Sequence, residues 1–364
     1  MTRIPEGMLS LGRRVQRVPS IELASQRRLD KSRQTCLVFF VPGNPGLINY
    51  YEPFLSTLRL LLDEVEARPG CDKSFHIYGQ NLIGFDDADH EVPFGRAQPP
   101  FNLEDQIVYA YESLMKKSRT TLESGDSVAF DKVIIMGHSV GAYISIEVFH
   151  RHHHHLKAVS EAKLQGDSVA ATDAITANLT GGIMLFPAVS HLAKSDSGQK
   201  LDVIRRNYIL DNYAHHVARS FVGLWPSPLL RRIVRWFTGF PDHATEVTTR
   251  FLQSQDGIWQ ALHMGKDELR QITEEKWSED LWEIAEDKQG LEADKFFFYF
   301  AKKDHWVADE CRDAFIERRR EQIKGRTKIL IDEDSIPHAF CIHHSEQVAE
   351  KVLGWIQHIV GCNV

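Results

Sequence analysis

Residues 131–149 read DKVIIMGHSVGAYISIEVF, a β-branched run that stops at glycine and restarts as an apolar, helix-like stretch. No other segment constrains the fold as much. Gly137-His138-Ser139-Val140-Gly141 matches G-x-S-x-G, a pattern that chance alone supplies fairly often. Its setting raises its specificity, because a nucleophile elbow needs a strand before it and a helix after it. Ser139 would then occupy a strained turn at the strand's carboxyl end, with Gly137 and Gly141 letting the backbone pass closely. The helix N-terminus would place N–H groups and a positive dipole beside Oγ. A plain glycine-rich turn with Ser139 as N-cap fits the same residues, so the reading depends on partners elsewhere.

The rest of the chain alternates in the same way. Strand candidates are 36–41, 75–80, 132–137, 181–187, 295–301 and 327–332, mostly continuous apolar runs without polar alternation. Such runs suit strands covered on both faces, as in a parallel sheet. Helix candidates lie at 52–66, 103–118, 141–157, 308–324 and 345–360. Strand and helix in turn predict an α/β fold with a mostly parallel central sheet flanked by helices. The stretch 1–33 is expected to add edge strands, as a hairpin. Alternation fails between 189 and 292, where five of the seven tryptophans fall. That stretch is expected to be a helical lid inserted into a core made of 34–188 and 293–364.

A serine hydroxyl needs a general base oriented by a third group, and in this architecture the order is Ser, acid, His. Asp304 stands just past the 295–301 strand, and His338 follows the 327–332 strand. His338 is the expected base and Asp304 the acid that fixes its tautomer. Asp332 and Asp334 are the second choice for the acid. His305 reads as a surface or lid-contact residue, and His343 and His344 as capping or exposed residues.

Pro42-Gly43-Asn44-Pro45-Gly46 also follows a core strand. No G-K-[ST] accompanies it, so it is not a phosphate loop. Its place fits the loop that completes an oxyanion hole, where the backbone N–H of Asn44 would join that of Val140. Tyr50, Tyr51 and Phe54 follow as pocket wall or as helix packing.

The segments PGNPG with its trailing YY and F, GHSVGAY, DHWV and PHAF together resemble the lipid droplet-associated hydrolase family, a branch of the α/β-hydrolase superfamily. The resemblance runs from residue 36 to the final helix. It implies an α/β-hydrolase core with Ser-Asp-His chemistry. It also implies association with lipid droplets, extending to the cytosolic face of the endoplasmic reticulum membrane, and action on neutral lipid esters such as sterol esters or acylglycerols. Location transfers more firmly than reaction. A soluble esterase or thioesterase, or a droplet protein with a vestigial site, stands as the alternative.

Residues 221–240 suggest how a droplet's phospholipid monolayer could be reached. Ser227-Pro228 reads as N-cap and first helical residue. Leu230, Ile233, Val234 and Phe237 then share one face, widened by Leu229 and Trp236, opposite Arg231, Arg232 and Arg235. That is the composition of an interfacial helix, although amphipathic helices by default pack onto a core.

A net charge of −7 argues against a nucleic-acid partner. The five cysteines are scattered with no C-x-x-C pair, which favours a reduced compartment. Neither cofactor nor metal is expected: 84–95, though acidic, lacks EF-hand spacing and reads as a rim loop. The histidines of 150–155 point in different directions on a helix. Residues 318–324 read as an exposed helix face.

Overall fold

The computed structural model describes residues 15–26, 33–121, 127–164, 177–274, 276–277, 281, 296–322 and 327–362. Strands β1 (Ser20–Leu23), β2 (Gln34–Val41) and β3 (Lys73–Gln80) form one side of the sheet, with α1 (Glu52–Ala67) between β2 and β3. Then come α2 (Leu103–Lys117), a small hairpin of β4 (Arg119–Thr121) and β5 (Ser127–Ala129), β6 (Lys132–His138), α3 (Val140–Leu164) and β7 (Leu179–Leu185). Helices α4 (Asp196–Arg206), α5 (Tyr208–Gly223), α6 (Ser227–Thr238), α7 (Asp242–Gln253) and α8 (Gly257–Gln271) follow. β8 (Phe296–Phe300), α9 (Asp309–Gln322), β9 (Thr327–Ile331) and α10 (Ser345–Val360) complete the described chain.

The seven-stranded sheet has the order β1-β3-β2-β6-β7-β8-β9. Every pairing is parallel except that of β1. The expected α/β architecture is therefore present. The continuous apolar runs become buried strands because helices cover both faces: seven of the eight residues of β2, and all of β8, are buried. α2 begins with a capping box, Asn102 and Asp105 each accepting the other's backbone N–H. Of the edge strands expected in 1–33, β1 stands at the edge of the sheet. β1 pairs antiparallel with β3, taking the sheet edge without its sequence neighbour β2, while 1–14 and 27–32 lie outside the described residues.

Three other readings also change. Arg319, expected on an exposed face, is buried with its guanidinium over the Phe315 ring. Burial pushes it down to about 10. Ser227 is the first residue of α6 and leaves the cap to Pro226; its hydroxyl instead accepts from Gln253 Nε2 at 2.8 Å. The apolar stripe of α6 splits. Leu230 and Val234 are buried, while Leu229, Trp236 and Phe237 stay exposed, the last two at 78% and 73%. Arg235 pairs with Asp242 at 2.7 Å, and Arg231 with Asp242 and Glu246 at 3.7 and 3.6 Å. Helix α6 thus has a buried seam between an exposed apolar flank and an arginine flank tied to α7.

Helices α4–α8 are fastened to the sheet by polar contacts that sequence periodicity does not reveal. In the 84–95 loop, Asp87 accepts the backbone N–H groups of Gln255 and Asp256, and Asp89 accepts that of Gly84. His90 bridges Asp89 at 2.7 Å and Asp256 at 3.2 Å. Burial alone would lower its pKa, but the two carboxylates outweigh it and lift His90 to about 9. The loop's acids bind backbone and imidazole, which explains their density without a metal.

Candidate active site

The parallel sheet delivers the functional loops to one edge, because loops at the carboxyl ends of parallel strands converge there. Asn44 follows β2, Ser139 follows β6, Asp304 follows β8 and His338 follows β9. Ser139 adopts φ 55, the left-handed region that a non-glycine residue enters only when its surroundings force it. Its N–H donates to Leu185 O at 3.0 Å, and its carbonyl accepts from Ala188 N at 3.2 Å. Small neighbours make the turn feasible. A Cβ on Gly137 would fall 2.2 Å from Gly141 O, and one on Gly141 would fall 2.3 Å from Val41 O.

His338 Nε2 lies 2.9 Å from Ser139 Oγ, and its Nδ1 lies 2.7 Å from Asp304 Oδ2. The other Asp304 oxygen accepts the Trp306 N–H at 2.7 Å. Burial works to raise the Asp304 pKa. The facing His338 imidazole and these hydrogen bonds overcome it and hold the carboxyl below its ordinary value. An anionic acid, an imidazole of fixed orientation and a hydroxyl are thus in line.

The second-choice acids have other work. Asp332 is buried, accepts the Tyr299 O–H, and receives the Ile336 N–H at 2.6 Å. Asp334 pairs with Lys351 at 2.9 Å. His305 is exposed and stands 3.8 Å from Asp196 of α4, a contact with the helical segment as expected.

Val140 opens α3, so its N–H has no carbonyl one turn back to bond to. Across the elbow, Gly43 lies against the serine: a Cβ there would meet Ser139 Cβ at 2.9 Å. This places the Asn44 backbone beside the nucleophile.

Tyr50, Tyr51 and Phe54 all belong to the buried core. Tyr50 O–H meets Thr248 Oγ1 of α7 at 2.8 Å. Tyr51 does more. Its oxygen accepts the Gly43 N–H at 3.1 Å and sits 2.7 Å from His138 Nδ1, while His138 Nε2 reaches the His338 carbonyl at 2.9 Å. Burial and the neighbouring His338 drop His138 to about 3, so its ring is neutral. One assignment of protons satisfies every contact: Gly43 N–H to Tyr51, Tyr51 O–H to Nδ1, and Nε2–H to His338 O. The chain of bonds ties the Gly43-Asn44 loop to the loop carrying His338. No sequence pattern announces it, because His138 occupies the free x of G-x-S-x-G. Tyr51→Phe strands a buried N–H and a ring nitrogen, and is expected to cost about 1–3 kcal/mol, read from urea unfolding.

Among the described residues no cluster of His, Cys, Asp and Glu could hold a metal. In 150–155, His152 is buried against Ala177 O and His150 faces His154. A cavity of about 380 Å³ lined by His191, Lys194, Glu310 and Arg318 includes none of the three residues in line.

Residues 34–341 match the family model described as lipid-droplet associated hydrolase. The lipid droplet-associated hydrolase of Gallus gallus is 22% identical over 335 residues, covering 90% of this chain and 86% of its own. That of Mus musculus is 23% identical over 355 residues, with the same coverage of 90% and 86%. Among solved structures, the juvenile hormone epoxide hydrolase of the silkworm Bombyx mori overlays with a TM-score of 0.52 at 10% identity, covering 94% of this chain and 74% of its own. A haloalkane dehalogenase loop variant from Bradyrhizobium elkanii gives 0.51 at 10%, covering 96% and 97%. At such identities the structures speak for the fold alone, which is that of the α/β-hydrolases. With an elbow serine at its expected strand end and a family match over most of its length, the chain belongs to the lipid-droplet associated hydrolase family.

Proposed function

We propose that this chain is a serine hydrolase that cleaves lipophilic carboxylic esters, sterol esters or acylglycerols, at the surface of lipid droplets. The observation that carries the reading is His338, poised 2.9 Å from Ser139 Oγ and 2.7 Å from Asp304. Ser139 Oγ attacks the ester carbonyl carbon while His338 Nε2 takes its proton. The carbonyl oxygen becomes an anion and is met by the N–H groups of Asn44 and Val140. The carbon–oxygen bond to the alcohol then breaks, and His338 returns the proton to the departing oxygen. Water, deprotonated by the same imidazole, releases the acid and restores Ser139. The residues suffice for this acyl transfer without a cofactor.

Helices α4–α8 serve as the lid, and the flank of α6 formed by exposed Leu229, Trp236 and Phe237 with half-buried Ile233 is the part that meets the phospholipid monolayer. Among the described residues no helix is long and apolar enough to cross a membrane. Shallow insertion suits a monolayer over oil, on droplets or on the cytosolic face of the endoplasmic reticulum. Arg232 extends from the same helix toward lipid headgroups, whereas Arg231 and Arg235 are engaged by α7. The double variant Trp236→Glu/Phe237→Glu is expected to leave hydrolysis of a soluble p-nitrophenyl ester within about twofold, since exposed substitutions cost little stability. It should also turn droplet rings in oleate-fed cells diffuse. Rings that persist would remove this surface from the reading.

Activity-based labelling with a fluorophosphonate, followed by a lipid-ester panel, tests the reaction. Labelling without turnover of any lipid ester would favour a soluble esterase or thioesterase. No labelling of folded protein would favour a droplet protein with a vestigial site, a reading supported by the exposed Trp236 and Phe237.

A further inference from the structure

Helix α8 reaches into the oxyanion loop. The side-chain amide of Asn44 donates to Glu268 Oε1 at 3.0 Å and to the Ala261 carbonyl at 3.2 Å. An amide nitrogen has two hydrogens, and these acceptors use both. Ala261 and Glu268 stand two helical turns apart on one face of α8. Gly265 lies between them, where an added Cβ would already be 3.6 Å from Asn44 Nδ2 and 2.9 Å from Leu201. The missing side chain at Gly265 makes room for Leu201 of α4, while a Cβ there would meet Asn44 at ordinary contact distance, so the loop rests directly on α8.

We propose that Glu268 is a positioning residue for the hydrolytic reaction, holding Asn44 so that its backbone N–H meets the developing oxyanion. The proposal rests on the serine-hydrolase reading above. It makes the helical segment a working part of the site as well as its cover. An oxyanion donor must be in place before charge develops, and a five-residue loop in which two residues, Pro42 and Pro45, have no N–H can make few backbone bonds of its own. Its Gly43 end is held by Tyr51 and its Asn44 side chain by Glu268.

The charge of Glu268 matters as much as its place. Burial pushes its carboxyl up to about 8; the Asn44 amide opposes this, and Asp267 on the same helix adds to it. The loop brings only the uncharged Asn44 amide. Helix α4 brings Leu201, and α2 brings the Leu103 N–H, which donates to Asp267. At neutral pH Glu268 therefore carries its proton and accepts the Asn44 N–H without a negative charge. As pH rises through about 8 it ionises, placing an anion beside the oxyanion loop and opposing the charge that forms there.

The test compares full-length wild type, Glu268→Gln and Glu268→Leu on a soluble p-nitrophenyl ester and on the rate of fluorophosphonate labelling, across neutral and alkaline pH. Wild-type kcat is expected to fall as pH passes about 8. Glu268→Gln keeps the acceptor but cannot ionise, so it should hold neutral-pH kcat within about twofold and lose that alkaline fall. Glu268→Leu should lose about 10- to 100-fold in kcat with little change in KM. A Glu268→Leu enzyme with wild-type kcat would overturn the proposal. So would a Glu268→Gln profile that falls at the same pH as wild type, a result that stands even if the leucine variant does not fold. Wild type inert to both ester and fluorophosphonate would instead sink the serine-hydrolase reading, and this inference with it.

Discussion

Ser139→Ala is expected to abolish fluorophosphonate labelling and to lower ester turnover by about 10⁴- to 10⁶-fold. The large effect follows from what is lost. Without Oγ no acyl-enzyme can form, and His338 has no hydroxyl to deprotonate. Some rate over the uncatalysed reaction survives, because the Asn44 and Val140 N–H groups remain to meet an oxyanion. The fold should barely notice. Ser139 holds its turn through backbone bonds to Leu185 and Ala188, while its hydroxyl's bond is to His338. Loss of that bond costs stability by only about 1 kcal/mol, read from urea unfolding. Adding His338→Ala to the alanine variant should reduce turnover little further, since the two groups act as one unit. Labelling that persists in Ser139→Ala would place the reactive group elsewhere.

Asp304→Asn is expected to lower turnover by about 10⁴-fold while leaving the protein folded. The amide can fill the same space, but its NH₂ facing His338 Nδ1 favours the tautomer in which Nε2 carries the hydrogen. Nε2 then cannot accept the Ser139 proton. Asp332→Asn should do the reverse, with labelling and turnover kept and unfolding shifted by about 1–3 kcal/mol. Asp332 joins β8 to the loop that leads to His338 by accepting from Tyr299 and Ile336. Burial and that neighbouring carboxylate raise the Tyr299 phenol, so it stays a neutral donor to Asp332. Parallel measurement of both variants decides the acid: if Asp332→Asn lost turnover and Asp304→Asn kept it, the assignment made here would be wrong.

The legible part of the site was the part carried by local pattern. Gly137, Ser139 and Gly141 could be read because an elbow requires small residues at fixed offsets between a strand and a helix. Asp304 and His338 could be named because chain order and strand ends restrict where an acid and a base can stand. Asp332, also at a strand end, is a second choice that position alone does not remove. The difference lies in direction: one carboxylate faces the His338 imidazole and the other faces Tyr299. Helix α6 shows a similar limit. Its periodicity was plain, but that Leu230 and Val234 are buried while Trp236 and Phe237 stay outside depends on how the helix packs against its neighbours.

By itself the sequence determined the alternation of buried strands and helices, the strand–turn–helix at Ser139, and the strand-end loops that carry Asn44, Asp304 and His338. These follow from short-range rules: apolar runs, glycine where backbones touch, and chain order at strand ends. Only the tertiary structure decided that Tyr51 and His138 tie the Asn44 loop to the loop of His338, and that Glu268, far along the chain from Asn44, bonds its amide from the helical segment. A hydrogen bond between distant residues leaves no periodicity in either stretch. Its partners meet only after the sheet has fixed where the loops emerge and the helices have closed over them.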